Sequence, residues 1–445
     1  MTTAFIDPVL GLIFVMGAVA LAPAGFALTR HWGLLSAPVV VGGFFAYFYV
    51  LLPSAGLFFR EGQYLFDERT YLFGLVVAIL SLLTFYAGWV LRTPQEGIRG
   101  RAVGRGYSPN SLYIYGAGFS ILGVVGYATT VYLQGGWAHL HSQPHYMATR
   151  DVYMTAYIYD LALLVFPGIL LMLQSVFLAK KVSWFRGKAL FVVALSALVS
   201  VEAVLMSSRQ ISFFILAIWI LLLPLMRSRP PARVALLAGL LLAGLIPFLL
   251  LVYRSHLHLG MEASEFADVE SRDVVERVLR PSTGNEFITH SSLVTACFDS
   301  GEYDYGLQVI NVLVNFVPRV LWREKPYDLF RVRPDDLIYN HGGWIPANGY
   351  VLTGAGSVFF EWGFLGLVFW FLLGRWSRGL FEKTKHGSPK SAVIYVGLIC
   401  VLFVFVAQDL WAGLKNAIFM FGPLCLSYGL SSYTIRSTLD KNIAA

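Results

Sequence analysis

The sequence predicts an all-α fold: a polytopic bundle of about eleven transmembrane helices, N-terminus outside and C-terminus inside, with a large helical loop on the outer side. Three observations carry that expectation. Of 445 residues, 57% are hydrophobic and 13% charged, with a mean hydropathy of +0.65, whereas a soluble chain carries about 25% charged residues. Apolar runs of the length that crosses hydrocarbon recur along the chain. Basic residues collect in alternate connections, as they do when lysine and arginine are retained on the cytoplasmic side.

The runs are Val9–Leu28, Leu34–Ser54, Tyr71–Leu91, Leu112–Leu133, Tyr157–Phe177 and Ala189–Met206. Then come Ile211–Met226, Val234–Val252, Val358–Leu373, Ala392–Ala407 and Asn416–Ser432. Only Ser207 to Gln210 separate the sixth and seventh, which read as a tight hairpin or one broken element. The first run follows a start without basic residues, so it is expected to be a retained span rather than a cleaved leader, although Ala20 to Ala24 resembles a cleavage site. Cys400 and Cys425 sit in apolar runs and Cys297 stands alone in a polar stretch, so no disulfide framework or cysteine metal site is expected.

Nineteen of the 33 basic residues fall in one set of alternate connections, with only Glu96, Glu382 and Asp440 beside them. This set faces the cytosol. The net charge of +7 therefore reflects membrane orientation, and no nucleic-acid partner is expected. Of the fourteen outward basic residues, twelve are arginine. Arginine's planar fork grips phosphate or carboxylate with paired hydrogen bonds, while lysine is a hydrated point charge, so the skew points to anion binding outside.

The whole chain, 1–445, reads as one integral membrane domain with a long outward connection inserted at 253–357. A connection of that length is too long for a structureless loop. Within it, Ser264–Arg280 has an apolar side, early acids and late arginines, the pattern of an amphipathic helix stopped by Pro281. Leu307–Leu321 is apolar but interrupted by Asn311, Asn315 and Pro318. It is too short to span and fits a helix lying in, or dipping into, the membrane interface.

The densest polar information lies between Val317 and Gly366, where Arg319, Arg323, Lys325, Arg331 and Arg333 interleave with aromatic residues. Such a surface suits sugar rings stacked beside an anionic group. It also suits a basic, tryptophan-anchored belt at the headgroup level. Arg150, Arg209 and Arg254 stand at three further outward rims, and Arg209 pairs equally well with Glu202 as a structural ion pair. His341 and Glu361 are the candidate general bases, each able to accept a hydroxyl proton near the outer interface. Asp335 and Asp336, among basic residues, read as a solvated turn rather than a metal pair, and His139, His141 and His145 lack partners at ligand spacing. Phosphate-loop, dinucleotide and Gly-x-Ser-x-Gly motifs are absent from the sequence.

Taken together, the Gly135-Gly136 loop ending in Arg150, Ser207-Ser208-Arg209, the arginine closing the eighth run, Val-Pro-Arg319 to Lys325-Pro, and Glu361-Trp-Gly-Phe-Leu-Gly resemble bacterial O-antigen polymerases. The resemblance extends to oligosaccharide repeat-unit polymerases and the related O-antigen ligases. Ten residues separate Arg331 from Gly342, a spacing similar to one in such polymerases. The resemblance covers topology over most of the chain and particular residues over about a quarter of it. It implies a GT-C-like glycosyltransferase of the lipid-carrier type in the bacterial inner membrane, with its site facing the periplasm. A growing glycan on undecaprenyl diphosphate is the implied donor, and a hydroxyl of a new lipid-linked repeat unit the acceptor.

No metal or other cofactor is implied, and a chain-length regulator protein is an implied partner. On this reading Arg209, Arg254, Arg319 and Lys325, with Arg150, Arg323 and Arg331, bind diphosphate and glycan, Arg209 also serving the reaction itself. Glu361 or His341 activates the acceptor. A ligase moving finished glycan to a lipid core shares the design, and a lipid-linked sugar flippase is the non-enzymatic alternative. A membrane O-acyltransferase is disfavoured because no histidine falls inside a predicted span.

Overall fold

A computed structural model describes residues 6–28, 33–58, 68–92, 107–133, 136, 158–178, 187–205, 209–227, 286–317, 321–322, 324–326, 329–343 and 352–444. Among them the chain is helical, with no strand. The helices are α1 (Ile6–Leu28), α2 (Ala37–Ala46), α3 (Leu52–Phe58), α4 (Glu68–Val90), α5 (Pro109–Leu133), α6 (Val165–Leu178), α7 (Gly187–Leu205) and α8 (Arg209–Met226). After these come α9 (Glu286–Ser300), α10 (Leu307–Asn315), α11 (Pro334–Gly342), α12 (Gly354–Trp362), α13 (Leu367–Lys385), α14 (Pro389–Ala407) and α15 (Leu410–Ala444).

Their boundaries follow local chemistry. Proline opens α5 and α14, where its missing N–H costs nothing. The preceding Ser108 and Ser388 hydroxyls accept the N–H groups of Ser111 and Ser391, both at 3.3 Å. Asp409 does the same for α15, accepting from Ala412 N–H at 2.6 Å. Each cap satisfies an amide that the helix start leaves open.

Eight helices among the described residues are long and apolar enough to cross a membrane: Pro8–Ala27, Ala37–Ala55, Glu68–Val90, Pro109–Leu133, Ile158–Leu178, Gly354–Lys385, Pro389–Ala407 and Leu410–Ser432. Several turn large apolar side chains outward. Phe14 and Phe26 are each 76% exposed, an arrangement costly in water and matched to lipid. The protein is a multi-pass α-helical membrane protein. The sixth and seventh expected runs form the shorter apolar helices Gly187–Val201 and Gln210–Met226. The expected span Val234–Val252 and amphipathic helix Ser264–Arg280 lie outside the described residues.

The chain divides into two compact units. The first holds residues 1–93, 272–379 and 401–415; the second holds 94–271, 380–400 and 416–445. In the second, α5 and α6 approach closely because Gly116 and Gly123 face Gly168 and Val165, and a β-carbon at any of the three glycines would meet backbone across the contact. Small residues serve this purpose between membrane helices, where burial in water gives no drive. The Tyr428 hydroxyl donates to Gln174 at 2.6 Å, and the Gln210 amide donates to Asn416 at 2.7 Å.

In the first unit α9 sits at the centre. Leu293, Val294, Ala296 and Cys297 pack with Val77 of α4, Leu337 and Ile338 of α11, and Phe359 and Phe360 of α12. Gly74 of α4 leaves room for Ser291, and the Arg69–Asp299 ion pair at 2.5 Å ties α4 to the end of α9. Cys297 is thus a core residue. Asp335 and Asp336 lie in the first turn of α11, where carboxylates complement the helix dipole, rather than in a solvated turn. α10 is inverted for water: it buries Gln308 and Asn311 and exposes Ile310 and Leu313.

Candidate functional site

Thr353, Ser357 and Glu361 stand four residues apart through α12 and its N-cap. That spacing places them on one helix face, and all three are fully buried. Each side chain meets a different part of the first unit.

Thr353 belongs to a directed chain of hydrogen bonds. The Tyr49 hydroxyl donates to Thr353 Oγ1 at 2.8 Å, and Thr353 Oγ1 lies 3.1 Å from His290 Nδ1. His290 Nε2 lies 2.9 Å from the Gly74 carbonyl. A carbonyl only accepts, so Nε2 carries the proton, and Nδ1 must accept from the threonine. Burial lowers the His290 pKa to about 4, with the Gly74 carbonyl pulling the other way; the ring is neutral at ordinary pH. Tyr49 is delivered by a π-helical turn, Tyr47–Leu51, between α2 and α3.

Ser357 joins three elements. Its hydroxyl donates to Gln308 Oε1 of α10 at 3.2 Å and accepts the Leu410 N–H of α15 at 3.0 Å. One turn further, the Glu361 carboxyl faces the Gly306 and Gln308 N–H groups at the start of α10 and the carboxyl of Asp304, although neither of its oxygens reaches hydrogen-bond geometry.

Asp304 is brought there by backbone. Its N–H donates to Phe360 O at 3.0 Å, and Tyr305 N–H donates to Glu361 O at 2.9 Å, covering carbonyls that the end of α12 leaves open. The return into α10 uses left-handed backbone at Tyr305 (φ 53°) and Gly306 (φ 88°). Asp304 Oδ1 accepts the Arg331 N–H at 2.7 Å, and its other oxygen is buried without a hydrogen bond. Burial raises the Asp304 pKa above its ordinary value, against the pull of the Arg331 and Val332 N–H groups. The Arg331 side chain itself turns over the Tyr305 ring, its guanidinium 5.2 Å from the centroid, and both side chains are exposed.

No known protein family, characterised protein or solved structure matches the chain.

Of the residues expected from sequence, the structure brings to Asp304 the Glu361 carboxyl and, through its backbone N–H, Arg331. Lys325 is placed otherwise: it is buried, and its ammonium donates to the Val317 and Asn315 carbonyls at 3.0 and 3.4 Å, so its charge meets the end of α10. His341 is exposed in the last turn of α11, whereas Glu361 is enclosed. Arg209 is the first residue of α8 in the second unit. Arg150, Arg254, Arg319 and Arg323 lie outside the described residues.

Sequence reasoning missed Asp304, His290, Gln308, Ser357 and Thr353. The four-residue period of Thr353, Ser357 and Glu361 in an apolar stretch was available as a signal. Asp304 and His290 had none, because only the return of the chain brings them to α12. Among the described residues, no three His, Cys, Asp or Glu side chains stand together to hold a metal.

The arrangement offers a buried carboxyl pair facing the amide end of a helix, which can take a proton from a hydroxyl group. The exposed Arg331 guanidinium, held over Tyr305, offers charge for an anion.

Proposed function

We propose that the protein is a lipid-carrier-dependent glycosyltransferase that polymerises undecaprenyl-diphosphate-linked oligosaccharide repeat units at the periplasmic face of the inner membrane, for O-antigen or another surface polysaccharide. The observation that carries this reading is the enclosed Glu361 carboxyl beside Asp304, next to the exposed Arg331–Tyr305 pair. The resemblance of the Glu361-Trp-Gly-Phe-Leu-Gly and Val-Pro-Arg319 to Lys325-Pro segments to repeat-unit polymerases supports it, as does the arginine-rich outward sequence. The reading includes a GT-C-like fold of about eleven spans, N-terminus out and C-terminus in, and a chain-length regulator as partner.

The chemistry balances with one base. The acceptor hydroxyl oxygen attacks the anomeric carbon of the donor glycan, forming the new C–O bond while the bond to phosphate breaks. Undecaprenyl diphosphate leaves with the electron pair, and the hydroxyl proton passes to Glu361. Arginines stabilise the growing charge on the leaving group, so no general acid is required. Arg331 is proposed for this role, and Arg209, Arg254, Arg319, Arg323 and Arg150 are further candidates for it from the sequence. His341 is the alternative base.

A second reading has a specific observation behind it: ionisable groups buried among membrane helices also serve proton-coupled transport, which would make the protein a lipid-linked sugar flippase. Purified protein in vesicles with lipid-linked repeat units separates the possibilities. A ladder of chain lengths supports polymerase; a single product formed only with added lipid core indicates a ligase; movement without covalent change indicates a transporter.

A further inference from the structure

We infer that His290 is a positioning residue that sets the start of α12 through Thr353 and thereby places Glu361; this rests on the catalytic role proposed for Glu361. Thr353 carries the inference. It is the N-cap of α12, with φ 50° and ψ 151°, a backbone region that belongs to glycine and that a β-branched residue occupies only under strain. Its side chain caps nothing in its own helix. The hydroxyl instead accepts from Tyr49 and donates to His290, so two bonds from outside α12 hold the residue where its backbone resists.

The surroundings are cut to fit this contact. A β-carbon at Gly356 would stand 2.6 Å from His290 Nδ1, and one at Gly354 would overlap the Phe405 carbonyl. The helix start therefore lies against both the imidazole and the end of α14. From that anchored start, Ser357 and Glu361 follow at one-turn intervals, and the last carbonyls of α12 receive the Asp304 and Tyr305 N–H groups. A shift of the helix start moves Glu361 relative to Asp304 and weakens these two bonds. His290 does not touch the carboxyl pair; it acts along the helix.

Two side chains divide the histidine's bonds. Asparagine sets an acceptor where Nδ1 stands, and glutamine sets a donor where Nε2 stands. His290→Asn is expected to keep the Thr353 bond, and His290→Gln to keep only the Gly74 bond. Amide hydrogen exchange at Asp304 and Tyr305, followed by mass spectrometry on the full chain in detergent, reads the end of α12 without any assay of activity. His290→Gln should speed exchange there about tenfold and lower kcat for chain extension with KM unchanged, while His290→Asn stays near wild type in both. Equal behaviour of the two variants, or unchanged exchange in His290→Gln, would overturn the inference.

Thr353→Gly covers the case in which the histidine variants do not fold. It relieves the strained backbone but leaves the Tyr49 hydroxyl and His290 Nδ1 without their buried partner, so it should show the faster exchange and reduced kcat. A Thr353→Gly protein with wild-type exchange would also overturn it. If wild-type protein makes no glycan ladder, the glycosyltransferase reading fails, and the exchange measurements still decide the role of His290.

Discussion

His290 has no charge to offer at neutral pH, and the cost of giving it one is measurable. Its pKa falls from an ordinary 6.5 to about 4 in the folded protein, so between those values the unfolded chain binds the proton more readily. Stability is therefore complete above pH 6.5 and falls as pH drops through about 4, by about 3 kcal/mol from this group. Thermal unfolding between pH 7 and 4 checks this: His290→Asn should show a shallower slope than wild type, and identical slopes would contradict it. Glu361→Gln removes the proton acceptor but keeps the shape. If Glu361 is the base, kcat should drop by about 10²–10⁴-fold with folding intact, whereas His341→Gln should leave turnover within about threefold.

These residues were unequally visible in sequence. Glu361 stood out because a carboxylate at the head of an apolar run is costly. The sequence presents Lys325 as an outward cation, yet its alkyl stem lets the ammonium fold back to carbonyls at the end of α10. Nothing in the linear order tells these two outcomes apart.

At the scale of elements, the membrane helices were legible because their signal is long and apolar: eight of the expected runs overlap candidate spans, though Val358–Leu373 falls inside the longer Gly354–Lys385. The helices that build the site were not. α9 mixes Thr289, His290, Ser291 and Ser292 with apolar residues, and it is buried on nearly every side, so no amphipathic period marks it. α11 was hidden by Asp335 and Asp336, which read equally as a turn or a helix start.

Two substitutions test how these elements are joined. Gly74→Ala presses a methyl group into Ser291 at the α4–α9 contact and should destabilise the protein by about 1–3 kcal/mol, seen as a lower melting temperature in detergent. Lys325→Met keeps the length of the side chain but leaves the Asn315 and Val317 carbonyls without that donor. A loss of about 1–3 kcal/mol is expected, with faster exchange confined to the end of α10.

At the scale of the molecule, the alternation of basic connections predicts a topology with 68, 353 and 409 outside and 92 and 385 in the cytosol. Single cysteines at His341 and Lys385, introduced in a cysteine-free background, should react with an impermeant maleimide from the periplasmic and cytoplasmic sides respectively. Reaction of both from one side would overturn the topology. Orientation matters to the proposed function because that reading requires Glu361 to meet an acceptor presented on the outer side.

The most direct measurement is chain extension by wild-type and Glu361→Gln protein in vesicles supplied with undecaprenyl-diphosphate-linked repeat units. The wild type should give a ladder of lengths, and the variant should bind the lipid-linked unit but leave it unextended. A full ladder from the variant would remove Glu361 as the base, and with it the site built around Asp304 and Arg331.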